Sequence, residues 1–270
     1  MIAALFASYT FSQVVVLKGT PRTPAEHDAI YSKTTFPYIV EIETRAGHLL
    51  FLGTEHIYDP QNPQFGKIEE SWQSFKPDIA LIESRNLASS SSLNEAAKRG
   101  EPAFVATLAK QNGIKVSSLE PEPKVEGAAL VAAETPERAH LFLTLRNYFS
   151  RRRTQPEIPD TTIQLALALR ASEYGLTTKL KTVADLDALW KADFPELPNW
   201  RNARENVLSG KGSTYLNHLA NVSNQIRDDH WAKTIVSFVR QGKKVFVVGG
   251  ASHAINLEPV LRATLAEEVR

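Results

Sequence analysis

The sequence predicts an α/β protein: a mixed, largely parallel central sheet flanked by helices, with a helical insertion over the sheet edge. Two observations carry this. Short apolar runs rich in Val, Leu, Ile and Phe alternate with longer segments of helical spacing, as strands and helices do in layered α/β folds. One tetrapeptide pattern also closes two of those runs: Gly53-Thr54-Glu55-His56 behind His48 to Leu52, and Gly250-Ala251-Ser252-His253 behind Lys244 to Gly249. Glycine there lets the backbone turn tightly or approach a ligand. Ligands of open α/β sheets bind beyond the carboxyl ends of strands, so two parallel strands would bring both imidazoles to one crevice. A single Gly-x-x-His reads as an ordinary loop histidine; its repetition behind two buried strands favours a site.

Length and composition bound the rest. A chain of 270 residues with an ordinary apolar fraction can bury a sizeable core as one large domain or a domain with an insertion. The net charge of +1 argues against a large nucleic-acid footprint, which would show as a basic excess. With no cysteine there is no disulfide, no thiolate zinc site and no cysteine nucleophile, so imidazoles and carboxylates must hold any metal. Residues 1–32 read as an N-terminal segment. Its apolar patch Ile2-Ala3-Ala4-Leu5-Phe6-Ala7 loosely resembles a short secretory signal without a positive start, which favours a periplasmic or secreted location over the cytoplasm. No later stretch approaches the roughly 20 apolar residues of a membrane helix.

Residues 33–270 read as the α/β domain, with the insertion at about 135–212. After a polar, proline-bearing entry (Thr20 to Ser32), Tyr38 to Thr44 alternates apolar and polar residues. Arg45-Ala46-Gly47 then turns the chain into Leu49 to Leu52, which makes a β-hairpin. Lys67 to Phe75 puts Ile68, Trp72 and Phe75 on one helical face and stops before Pro77. Asp78 to Arg85 is a buried strand ending in Glu83. Ser89 to Ser92 caps a helix from Leu93 to Gln111, closed by Asn112-Gly113. Ile114 to Leu119 is a further strand, ending at Glu120 before the breaker Pro121-Glu122-Pro123. Three strands thus finish in His56, Glu83 and Glu120, and a parallel sheet puts the three on one edge.

The middle is helical. Thr135-Pro136-Glu137 opens a helix to about Phe149, with Arg151-Arg152-Arg153 at its negative dipole end; Pro159-Asp160-Thr161 opens a second through Leu169, and Val183 to Trp190 is a third. Pro195 and Pro198 break the chain before Trp200. These helices are expected to shape a substrate pocket. Ser213 to Arg240 is one long helix carrying Arg227-Asp228-Asp229-His230-Trp231, and Ala254 to Val269 closes the last strand-helix unit, interrupted by Pro259. Ser252 reads as a loop hydroxyl, for no Gly-x-Ser-x-Gly elbow surrounds it. Trp231 reads as a packing residue.

In this order the motifs resemble the TraB/GumN/Tiki family, itself similar in fold to the erythromycin esterase and ChaN groups. They are Gly-Thr-Glu-His after a hairpin, Pro-Asp-Ile-Ala-Leu-Ile-Glu-Ser-Arg, Ser-Leu-Glu, Arg-Asp-x-x-Trp on a helix, and Val-Val-Gly-Gly-Ala-Ser-His. The resemblance spans about Tyr38 to the carboxyl terminus. It implies that His56 and His253 are the paired Gly-x-x-His residues, Glu83 the strand-end acid, Glu120 the later acid, and Arg227 and Asp228 the helical motif. The chain departs from it at Glu120-Pro121-Glu122-Pro123, where GumN-like members continue into a glutamine-bearing helix. Activities in the family range from metal-dependent peptide cleavage to pheromone shutdown, so the resemblance narrows chemistry more than substrate.

The residue types support that chemistry independently. Two neutral imidazoles and a carboxylate (His56, His253, Glu83) suit a divalent cation of the Mn, Co or Zn type with an open position, where bound water loses a proton near neutral pH. Glu83 or Glu120 is then ligand or general base, and Arg227 either stabilises an oxyanion or orients Asp228. The expectation is a metalloprotease-like hydrolase acting on a peptide or small-molecule acyl bond. A metal-free His/Glu esterase and a non-catalytic peptide or ligand binder are the alternatives. Soft-ligand haem attachment has little support with one methionine and no cysteine.

Overall fold

The computed structural model describes residues 14–266, so the apolar patch read as a secretory signal lies outside the described residues. Five strands form one sheet in the order β1-β2-β5-β3-β4: β1 Tyr38–Glu43, β2 His48–Thr54, β3 Ile79–Ile82, β4 Lys115–Ser118 and β5 Lys244–Gly250. Only β1 runs antiparallel, as the first arm of the hairpin with β2; the β2-β5, β5-β3 and β3-β4 pairs are all parallel. The most apolar runs, β2 and β5, are buried along nearly their whole length, as strands covered on both faces must be. β1 buries Val40 and Ile42 and exposes Ile39, the alternation of an edge strand.

Helices cover both faces. On one, α9 (Tyr215–Arg240) and α10 (Ala251–Leu265) pack Trp231, Ile235, Leu257 and Leu261 against Leu49, Phe51, Val245 and Val247. On the other, α2 (Pro63–Phe75) and α4 (Glu101–Gln111) pack Ile68, Trp72, Phe104 and Leu108 against Leu50, Leu52, Phe246 and Val248. A third core has no strand in it. There α5 (Pro123–Ala133), α6 (Pro136–Arg152), α7 (Asp160–Glu173) and α8 (Val183–Asp193) enclose Leu145, Trp190 and Trp200 with Leu216 and Leu219 of α9. With 26 residues and a length of about 39 Å, α9 therefore serves two cores, its first turns in the helical cap and its last on the sheet. No helix among the described residues is long and apolar enough to cross a membrane.

Several elements differ from the sequence expectation. The helix expected over Leu93 to Gln111 is broken into α3 (Leu93–Ala97) and α4, because Gly100 takes φ 90° and Pro102 lies in the first turn of the new helix. Pro121-Glu122-Pro123 does more than break the chain: Glu122 sits at the N-cap and Pro123 opens α5. The polar entry holds a short helix, α1 (Pro24–Tyr31), started by a Thr23/Glu26 capping box. The closing helix begins at Ala251 rather than Ala254, and Pro259 lies inside it. His253 is thus a first-turn helical residue, while His56 lies in the loop after β2.

Candidate active site

Strand register brings the two Gly-x-x-His segments together. Thr54 pairs with Gly250 across the parallel β2-β5 ladder, so both segments leave the sheet side by side at its carboxyl edge. Glu83 leaves β3 at the same edge. The three side chains surround one backbone position: a Cβ placed on Gly250 would stand 3.3 Å from Glu83 Oε2, 3.7 Å from His56 Nε2 and 3.8 Å from His253 Cδ2. Glycine is the residue that leaves this space open. Gly249 is needed for a different contact, since its Cβ would fall 2.6 Å from the ring of Trp231.

Each imidazole has a carboxylate behind it. His253 Nδ1 donates to Asp228 Oδ1 at 2.5 Å, its ring lies 4.4 Å from that of Trp231, and its Nε2 is 3.9 Å from Glu83 Oε1. His56 Nδ1 lies 3.8 Å from Glu101 Oε2. Glu101 is 1% exposed, and its other oxygen accepts from the Ile57 N–H at 2.6 Å and from Gln64 Nε2 at 3.1 Å. Gln64 also exchanges two hydrogen bonds with the backbone of Glu55, so α2 and α4 together hold the loop that carries His56. Ser252 is exposed in the first turn of α10.

Arg227 is the hub of the acidic side. Its guanidinium donates to Glu83 Oε1 at 2.5 Å and forms a bidentate pair with Glu120 at 2.7 and 3.2 Å, while lying 5.4 Å over the Trp231 ring. This corrects the expectation that Arg227 orients Asp228: Asp228 faces His253, one step round the helix. Glu120 is engaged by Arg227, with Arg85 3.9 Å away. Burial by itself would raise the Glu83 carboxyl, but the Arg227 charge, then the two imidazoles and the Gly250 N–H at 2.5 Å, hold it at about 2. Glu83 is thus a carboxylate at any working pH. The Glu101 carboxylate raises the His56 imidazole against the opposing effect of its burial. Burial lowers and Glu83 raises the Arg227 guanidinium, with the net result upward.

Beyond this cluster the cleft widens under the helical cap into a cavity of about 590 Å³ whose wall is rich in arginine, among them Arg85, Arg146 and Arg153. Arg146 and Arg85 share the fully buried Glu126, at 2.6 and 3.5 Å, and both donate to the Tyr174 hydroxyl. Glu101, Gln64 and Glu126 carried no motif in the sequence. The one signal for Glu101 was Gly100-Glu101-Pro102, a helix start hidden inside an apparently continuous helix.

A divalent cation was expected on His56, His253 and Glu83. These residues fit one in donor chemistry, and His253, with Nδ1 on Asp228 and Nε2 towards Glu83, has the outer-shell partner typical of metal-binding histidines, while His56 Nδ1 stands 3.8 Å from Glu101. They are not drawn up around an ion, for among the described residues no three His, Asp or Glu side chains form a group able to hold one, and Arg227 occupies Glu83 Oε1. No family model, curated protein or solved structure matches this chain.

Proposed function

We propose that this chain is a hydrolase of an acyl bond, peptide or ester, in which the facing imidazoles handle the protons of an attacking water. The observation that carries the reading is the convergence of His56, His253 and Glu83 on the open space at Gly250, with a carboxylate behind each ring. Asp228 holds His253 in the tautomer whose Nε2 is free to accept a proton. Water attacks the carbonyl carbon as His253 Nε2 takes its proton. Arg227 supplies positive charge beside the oxyanion that forms. As the carbon–nitrogen or carbon–oxygen bond breaks, His56, whose imidazolium is favoured by Glu101, donates its own proton to the leaving group; His253 then releases to solvent the proton it took, and His56 takes one up before the next turnover. Glu83 stays ionised throughout and faces the space between the rings, while Asp228 and Glu101 are the counter-charges behind them. The order of motifs supports kinship with the TraB/GumN/Tiki family as part of the same proposal.

The outer carboxylates on both Nδ1 atoms favour a second reading, in which His56, His253 and Glu83 hold a divalent cation. That ion would supply a water acidic enough to ionise near neutral pH. One experiment separates the outcomes: protein purified without chelators is assayed on fluorogenic peptides and nitrophenyl esters before and after exhaustive chelation, beside the His56→Ala, His253→Ala double variant. Turnover that survives chelation and vanishes in the variant supports the imidazole mechanism. Turnover lost on chelation and restored by metal supports the cation. Tight substrate binding with no turnover in any arm rejects both and leaves a binding protein.

A further inference from the structure

The three arginines that end α6 part company in the fold. Arg151 turns back to Asn147, Arg152 lies over the Tyr148 ring and donates to the Arg201 carbonyl, and Arg153 points into the cleft. Arg153 and Arg227 both line the His56–His253 space, the arginine-rich cavity and a third cavity of about 380 Å³ beside it. Arg153 is close enough to His56 to oppose its protonation.

The two differ in what holds them. Arg227 is locked between Glu83 and Glu120, whose side chains are 13% and 10% exposed, and Arg146 is tied to Glu126 at 0%. Removing a partner from either would strand a buried charge, which is costly. Arg153 is 33% exposed and pairs with Glu205, 47% exposed, with the Tyr58 phenol nearby. The pair is bidentate, yet both partners stand in reach of water, so it is screened by salt and opens at far less cost than the buried pairs. If Glu205 lets go, its half-exposed carboxylate returns to water, whereas Arg153 remains beside the reacting groups with the two N–H donors it gave to Glu205 open.

We propose that Arg153 is the specificity residue of this site, exchanging Glu205 for an oxyanion, a carboxylate or a phosphate, carried by the substrate away from the bond that is cut. The guanidinium fork matches either group through paired N–H donors. On the same wall the arginine that Arg85 and Arg146 have in excess over Glu126 offsets the acid that Glu83 and Glu120 have in excess over Arg227, so when Glu205 swings away Arg153 is the charge left uncompensated. This deepens the hydrolase reading and rests on it for the word substrate, but the binding step is measured without turnover.

The test uses the full chain and three probes: N-benzoylglycine, its neutral amide, and phenyl phosphate, with affinities read by calorimetry. In the wild type the carboxylate probe is expected to bind roughly tenfold tighter than the amide, the size of one charge-assisted pair. Arg153→Gln should abolish that gap, and Glu205→Gln, which frees Arg153, should widen it several-fold. Because the second variant predicts a gain, a folding defect in the first cannot rescue the idea. Tighter binding of phenyl phosphate than of N-benzoylglycine assigns the subsite to a phosphate; the reverse assigns it to a carboxylate. A gap that survives Arg153→Gln, equal binding of acid and amide, or no binding even to Glu205→Gln overturns the proposal. A chain that keeps the gap yet hydrolyses nothing counts against the hydrolase alone; hydrolysis with no gap counts against Arg153 alone.

Discussion

Asp228 and His253 meet at 2.5 Å, carboxylate to Nδ1, across the packed interface of α9 with α10, with about a tenth of each side chain left exposed. One carboxylate thus sets both the orientation and the tautomer of the ring that faces the cleft. Asp228→Asn preserves the shape and reverses the tautomer. It is expected to lower kcat on the order of 10²- to 10⁴-fold while the melting temperature changes little. An unchanged kcat in a folded variant would remove His253 from the role of base.

The paired glycines give a contrast within two residues. Gly249→Ala drives a methyl to 2.6 Å from the Trp231 ring, which is fully buried and cannot retreat, so it is expected to cost about 1–3 kcal/mol in chemical denaturation. Gly250→Ala meets Glu83 at 3.3 Å and occupies the space between the imidazoles. Its expected signature is lost turnover with stability close to the wild type.

Arg227→Met leaves Glu83 and Glu120 buried without their counter-charge, and the expected loss is about 3–5 kcal/mol. The pH dependence has a definite sign. Glu83 is held at about 2 in the fold against an ordinary 4.5, so its contribution is complete above about pH 4.5 and disappears as pH falls towards 2. That contribution is roughly 3 kcal/mol. Denaturant midpoints measured between pH 7 and 2 should fall across this window in the wild type. Arg227→Met should start lower and fall less. Parallel curves would show that the pair does not set the Glu83 ionisation.

Glu101→Gln tests the other dyad. Glu101 raises His56, so the variant should titrate His56 at lower pH, read from its ring protons by NMR. A raised histidine stabilises the fold fully below its unfolded value near 6.5 and loses that contribution as pH climbs through the folded value. The wild-type advantage over Glu101→Gln should therefore shrink as pH rises above about 6.5. A His56 midpoint that does not move would detach Glu101 from the site.

The frame was legible because its signals are local. Val245 to Val248 and Leu49 to Leu52 read as buried strands, and two glycine-histidine spacings behind them were enough to bring residues nearly 200 positions apart to one edge. What stayed hidden depends on contacts made across the fold. Glu101 looks like any first-turn acid until α4 is set against the loop of His56. Gly100-Glu101-Pro102 is a break signal in the sequence, but helix formers on both sides make one continuous helix the simpler reading until φ at Gly100 is known. That Arg227 donates to Glu83 and Glu120 while the adjacent Asp228 accepts from His253 follows from how α9 sits against β3 and α10, which no spacing rule supplies. Pro121-Glu122-Pro123 breaks the chain in sequence terms, but proline is equally at home as the first residue of a helix, as Pro123 is in α5.

The long helix α9 enters the cap with Leu216 and Leu219 and leaves over the sheet with Ile235 and Val239, and it carries Arg227 and Asp228 at mid-span. A rod anchored at both ends makes the cap a fixed roof: tilting it away would bend the rod or tear Arg227 from two acids at once. On the proposed function, a substrate would then enter from the side, past the tail of α6 and the segment bearing Glu205, beside the proposed Arg153 subsite.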